Sequence, residues 1–221
     1  AGNLIQGNYI GTDASGTRRV PNALGVMIAR SSANLVGGSR PEDGNLIAGN
    51  DDIGLLLVGK WTERNVIQGN RIGVNATGSR ILHNNIGIVI KSLAHGNVIG
   101  GTLPGERNVI SGNLEIGVYI EAADRNRILG NYIGTDATGT RPITDGTLVQ
   151  GNGVEFNTVA KDNVVGGDTA AERNVISGHK VYAPFGAGVL VGRPDWLDSA
   201  PPYLAGGGAS ADVSIDDVAW H

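Results

Sequence analysis

One period runs through most of the chain. The run Asn3-Leu4-Ile5-Gln6-Gly7-Asn8-Tyr9-Ile10-Gly11 returns in altered form at Asn65 and again at Asn126, 62 and then 61 residues on. Asn34-Leu35-Val36-Gly37-Gly38 returns at Asn97 and Asn163, and Asn45-Leu46-Ile47 at Asn108 and Asn174, at spacings of 63 and 66 in both cases. A Gly-led apolar tetrapeptide begins at Gly25, Gly54, Gly87, Gly117, Gly153 and Gly188, with spacings of 29, 33, 30, 36 and 35. The repeating unit is therefore a turn of roughly 30 residues, in two alternating forms. Short β-branched runs are set off by Gly, Asn, Asp and Ser, with no helical periodicity between them.

Short strands joined by polar turns at a fixed period predict stacking, because one such turn cannot bury its apolar face alone. In each Asn-Φ-Φ run the third position is β-branched (Ile5, Val36, Ile47, Ile67, Ile99, Ile110, Ile128), while the middle position admits Arg127. Alternation along a strand then turns the third side chain and the leading Asn inward. Asn side chains stacked in register are expected to hydrogen-bond along the stack.

The runs Gly-Asn-Tyr-Ile-Gly-Thr-Asp-Ala-Ser-Gly-Thr (7–17) and Gly-Asn-Tyr-Ile-Gly-Thr-Asp-Ala-Thr-Gly-Thr (130–140), with Asn-Val-Ile-Ser-Gly-Asn (108–113), resemble the repeats of right-handed parallel β-helices. Such repeats occur in secreted bacterial proteins and in the pectate-lyase-like superfamily. The resemblance implies an all-β fold, a right-handed parallel β-helix (solenoid) of about six to seven turns over residues 1–192. Residues 193–221 are expected to form an irregular C-terminal loop and capping segment. It also implies an extracellular or cell-surface location.

Composition removes several classes. The net charge of −4 argues against a protein that binds nucleic acid by neutralising phosphates. No apolar run is long enough for a membrane span. The absence of Cys excludes a disulfide scaffold and thiol chemistry by this chain. Four scattered His suggest no metal site. The start in mid-pattern at Ala1-Gly2-Asn3 reads as a mature protein or an excised segment.

Outward positions of the Gly-led strands are where chemistry is expected. Lys91, Tyr119, Glu121, Glu155 and Asn157 fall on three consecutive turns, with neighbours ~5 Å apart and the two carboxylates roughly 8 Å apart. Two carboxylates at that separation suit an inverting glycosidase. Alternatively, Lys91 is placed to abstract a proton beside a uronate carboxylate while Tyr119 protonates the leaving oxygen. Lyases of the resembled superfamily use a basic residue and acidic Ca²⁺ ligands on one strand face, so Ca²⁺ is the one ion considered; no other cofactor is expected. The competing reading is a solvated Lys91–Glu121 pair. Asp52, Glu115 and His179 form a second, turn-borne set. Tyr182, Trp196 and Tyr203, with Phe185, interrupt the last repeat and suggest either a sugar-stacking loop or a cap.

The sequence therefore predicts an extracellular carbohydrate-active or carbohydrate-binding β-helix, a polysaccharide lyase or glycoside hydrolase if catalytic, with polysaccharide as partner. The alternative is a non-catalytic structural or adhesive repeat segment of a larger secreted surface protein. Met27 and Leu56 lie on an outward apolar strip, where self-association or contact with a parent chain is expected.

Overall fold

The computed structural model describes residues 1–146, 150–178 and 187–188. In chain order the strands are β1 (Leu4–Ile5), β2 (Tyr9–Ile10), β3 (Leu24–Ala29), β4 (Leu35–Gly37), β5 (Leu46–Ile47), β6 (Ile53–Val58), β7 (Val66–Gln68), β8 (Arg71–Ile72) and β9 (Ile86–Lys91). They continue as β10 (Val98–Gly100), β11 (Val109–Ile110), β12 (Ile116–Glu121), β13 (Arg127–Leu129), β14 (Tyr132–Ile133), β15 (Asn152–Asn157), β16 (Val164–Val165), β17 (Val175–Gly178) and β18 (Ala187–Gly188). Among the described residues the only helices are single 3-10 turns at Pro41–Asp43, Pro104–Glu106 and Ala170–Glu172.

The chain visits three parallel sheets in rotation. Their orders are β1-β4-β7-β10-β13-β16, β2-β5-β8-β11-β14-β17 and β3-β6-β9-β12-β15. Between the sheets lies one apolar core. Val36, Ile47, Ile67, Ile72, Ile99, Ile110, Ile128 and Ile133 are fully enclosed, one above another in the paired registers. β-Branched side chains suit this arrangement, because their restricted χ1 fits the pleat and costs little further entropy on burial. From the third sheet, Leu55, Leu57, Ile88, Ile90, Val118 and Ile120 complete the core.

Three ladders of amide side chains run along the corners between strands. The first is Asn3, Asn34, Asn65, Asn97, Asn126 and Asn163. The second is Asn8, Asn45, Asn70, Asn108, Asn131 and Asn174. The third is Asn22, Asn50, Asn84, Asn113 and Gln150. Each interior Asn of the first two is held twice from the turn before it. Asn34, for example, donates its backbone N–H and its Nδ2 to Oδ1 of Asn65 at 3.0 and 2.6 Å. The ladders thus satisfy amides that burial would otherwise leave without water. Tight corners follow from Gly37 and Gly100, at φ +87° and +91°; a Cβ there would strike the carbonyls of Gln68 and Leu129.

The expected right-handed β-helix of six to seven turns through residue 192 is corrected by these sheets. Among the described residues the third sheet holds five Gly-led strands. Of the sixth Gly-led segment only Gly188 is among the described residues; it lies in β18, which pairs antiparallel with β17, with Ser177 opposite Gly188. As the last strand of its sheet, β15 leaves Phe156, an inward position by alternation, 47% exposed. The expected boundary at 192 and the segment 193–221 lie outside the described residues.

Candidate functional site

The outer face of the third sheet carries the side chains expected to work together. β12 pairs with β9 and β15 in parallel, which sets Glu121 beside both Lys91 and Asn157, and Tyr119 beside both Val89 and Glu155. Lys91, Tyr119, Glu121 and Glu155 are half-buried and Asn157 is exposed. Their polar atoms are engaged locally. Asn157 Nδ2 donates to Tyr119 Oη at 3.0 Å, and Asn152 Nδ2 to Glu155 Oε2 at 2.6 Å within the same strand. Among the described residues no ion pair joins Lys91 to Glu121; those present are Arg19–Asp51, Arg64–Glu63, His95–Glu63 and Arg127–Glu172. Asp52 and Glu115 are exposed, and Tyr182, Trp196, Tyr203, Phe185 and His179 lie outside the described residues.

The apolar strip is not uniform. Met27 is 60% exposed, whereas Leu56 is 7% exposed and packs with Ile53 and Val89. The expectation of an open Met27/Leu56 contact surface is corrected accordingly.

The Thr-Asp-x-x-Gly-Thr segments are closed loops. Asp13 Oδ1 accepts the N–H of Thr17 and of Arg18 at 3.0 and 3.2 Å, and both carboxylate oxygens face Ser15 Oγ. The Thr17 N–H and the Ser15 hydroxyl hold the Asp13 carboxyl below its usual range. Burial pushes Asp136 up, but hydrogen bonds from Thr138, Thr140 and Arg141 outweigh it and leave the carboxyl lowered. Asn75 makes the same loop with a neutral amide, accepting from Ser79 N and Arg80 N at 3.0 and 3.1 Å. Among the described residues no cluster of three or more His, Asp or Glu is arranged to hold a metal ion.

The sequence reading passed over one paired site. His95 Nε2 lies 2.7 Å from Glu63 Oε2, and His95 Nδ1 faces the carbonyl of Leu93 at 3.1 Å. The two residues occupy equivalent turn positions of successive repeats and form a parallel bridge, a signal that the 61–66-residue period contains but a scan for local motifs does not.

Comparison with known proteins points elsewhere than the repeats. The family model of the class-V aminotransferases matches residues 169–221. A cysteine desulfurase of Pectobacterium carotovorum is 49% identical over 41 residues, 19% of this chain and 10% of that protein. One from Synechococcus elongatus is 44% identical over 47 residues, 21% of this chain and 8% of that protein. One from Haloferax volcanii is 33% identical over 104 residues, 46% of this chain and 20% of that protein. The chain thus spans a fifth or less of the length of these relatives. No solved structure matches.

These similarities overturn the assignment to the pectate-lyase-like superfamily and to secreted β-helix repeats. The carbohydrate-active reading, its structural or adhesive alternative, and the polysaccharide partner are corrected with it.

Class-V aminotransferases and cysteine desulfurases use pyridoxal phosphate, so the expectation of no cofactor is corrected at the level of those families. The described residues do not fit that group. A lysine that holds a carbonyl cofactor works from a desolvated pocket. Lys60 and Lys161 are exposed, and Lys91 sits half-buried on the sheet's outer face. Lys180, within the matched segment, lies outside the described residues.

Proposed function

We propose that the functional class attached to this chain is sulfur transfer from cysteine, of the cysteine desulfurase kind, carried by residues 169–221 as a piece of a class-V aminotransferase-type unit. The observation that carries the reading is the family match over that segment, supported by relatives 44% and 49% identical over 47 and 41 residues. In that reaction the C–S bond of cysteine breaks, the carbon skeleton leaves as alanine, and the sulfur passes to an acceptor thiol as a persulfide. This chain has no Cys, so the acceptor thiol is not one of its own 221 residues. The sheets before residue 169 contribute a scaffold to this reading and no reacting group.

The test is incubation of the purified chain with pyridoxal phosphate, L-cysteine and excess dithiothreitol, which serves as sulfur acceptor and releases sulfide as it is oxidised. Alanine and sulfide formed in equal amounts, above a no-protein control, support the reading. Their absence with both additions present overturns it for this chain.

A further inference from the structure

Two residues before each Asn of the first ladder stand Ser32, Glu63, His95, Asp124 and Lys161, one per turn. Parallel bridges join Glu63 to His95 and His95 to Asp124, so the imidazole has an acidic residue in the turn before it and another in the turn after. Its Nε2 lies 2.7 Å from Glu63 Oε2, and its Nδ1 faces the Leu93 carbonyl at 3.1 Å. Both partners are acceptors. An imidazole can donate to two acceptors at once only when both of its nitrogens carry hydrogen. The other charges nearby have their own contacts or stand apart. Glu63 Oε1 takes Arg64 Nη2 at 3.0 Å, and Asp124 Oδ1 takes the Lys161 N–H at 2.9 Å. Arg125 is exposed, and Lys91 and Glu121 end the strands that lead into this corner and the next.

The carbonyl that His95 faces belongs to a costly corner. Ser92 and Leu93 both lie in the left-handed region, at φ +57° and +70°, which residues with a Cβ disfavour. Such a pair persists only where its neighbours hold it. The Leu93 N–H donates to the Ala122 carbonyl at 2.7 Å, and the Ala94 N–H to the Lys91 carbonyl at 3.3 Å. Among the described residues the donor that reaches the Leu93 carbonyl is His95 Nδ1. The Leu93 side chain is 57% exposed, so packing adds little to the hold.

We propose that His95 is a proton-operated latch on the Ser92–Leu93 corner. With both nitrogens protonated, the ring ties the Leu93 carbonyl to the Glu63 carboxylate of the turn before. When one proton leaves to solvent, the other stays on Nε2, because a hydrogen bond to a carboxylate is stronger than one to a neutral carbonyl. The Nδ1 lone pair then faces the Leu93 carbonyl, acceptor against acceptor, and the corner loses that bond while the Glu63–His95 contact remains. The latch is closed below the range in which histidines change charge and opens as pH rises through it.

The test is amide hydrogen exchange of the whole chain, corrected for intrinsic rates, from about pH 5.5 to about pH 8.5, which brackets that range. Protection at Leu93 and Ala94 should fall about threefold to tenfold as pH rises, while Val98 in β10 keeps its protection. Glu63→Gln separates the latch from general loosening. The Gln amide donates to Nε2, so the neutral ring keeps its hydrogen on Nδ1 and holds Leu93 throughout; protection at Leu93 and Ala94 should then be independent of pH. Nitrogen-15 NMR of the parent supplies a readout that needs no variant. Both ring nitrogens of His95 should be protonated at the low pH and Nε2 alone at the high pH. A neutral ring with its hydrogen on Nδ1, parent protection at Leu93 and Ala94 that does not change with pH, or a Glu63→Gln variant that keeps the parent's pH dependence would each overturn the proposal.

Discussion

Asn65 shows how much one buried amide is asked to do. Its Oδ1 accepts two hydrogens from Asn34, its backbone N–H and Nδ2 both donate to Asn97 Oδ1, and Nδ2 also donates to the Ser31 carbonyl. Asn65→Ala strands the Asn34 backbone N–H and the Ser31 carbonyl, at about 1–3 kcal/mol for each group left unpaired, while Asn34 Nδ2 keeps Ser31 Oγ. Ile67, enclosed in the neighbouring core layer, is expected to cost about 2–5 kcal/mol on truncation to Ala. Urea unfolding of the two variants checks both figures, and an Asn65→Ala loss below that of a half-buried Asn outside the ladders, such as Asn85→Ala, would mean the ladders are ornamental. Inward asparagines were legible from sequence because the Asn-Φ-Φ run recurs with a strictly β-branched third position. The third ladder was not, because Asn22, Asn50, Asn84, Asn113 and Gln150 sit in turns with no shared tripeptide.

At the scale of elements, the Asp13, Asn75 and Asp136 loops make one conformation with two kinds of acceptor. Hydrogen bonds that lower the Asp13 and Asp136 carboxyls stabilise their loops above the ordinary carboxylate range. That contribution falls away as pH drops through the lowered values, because protonation removes an acceptor. Asn75 has no such dependence. Hydrogen exchange at Thr17 and Thr140 N–H should accelerate, relative to Ser79 N–H, as pH falls below the carboxylate range, after correction for intrinsic rates. Asp136→Asn should abolish the difference at Thr140. Parallel behaviour of all three amides would show that the carboxylates do not hold the loops. A further prediction concerns the outer face of the third sheet. Because Lys91 and Glu121 form no ion pair, Lys91→Met and Glu121→Gln should each change stability by less than about 0.5 kcal/mol. A larger loss in thermal or urea unfolding would reveal a coupling that the geometry lacks. Sequence spacing brought these residues together correctly in register but carried no information on which local partners they would choose. Asn152, which binds Glu155, was therefore missed.

For the whole molecule, two unlike sequences meet near residue 169. The 61–66-residue period governs where strands fall as far as β17, which stacks parallel on β14, so repeat and family match overlap over residues 169–178. Beyond that overlap Gly188 keeps the repeat's spacing, and the described pair Ala187–Gly188 runs antiparallel to β17. The match to class-V aminotransferases covers that same region. A local tetrapeptide pattern is too short to tell on its own a stacking strand from a Gly-rich stretch of another kind, and the expected boundary at 192 lies outside the described residues. Residues 1–146 and 150–178 stand as one stack whose interior turns are held by amide ladders. Amide hydrogen exchange over the whole chain tests it most directly. The account predicts the slowest exchange in β7 and β10 at Ile67 and Ile99, and the fastest in β1 and β2 at Leu4 and Tyr9. Exchange at Ile67 and Ile99 as fast as at Leu4 and Tyr9 would contradict it.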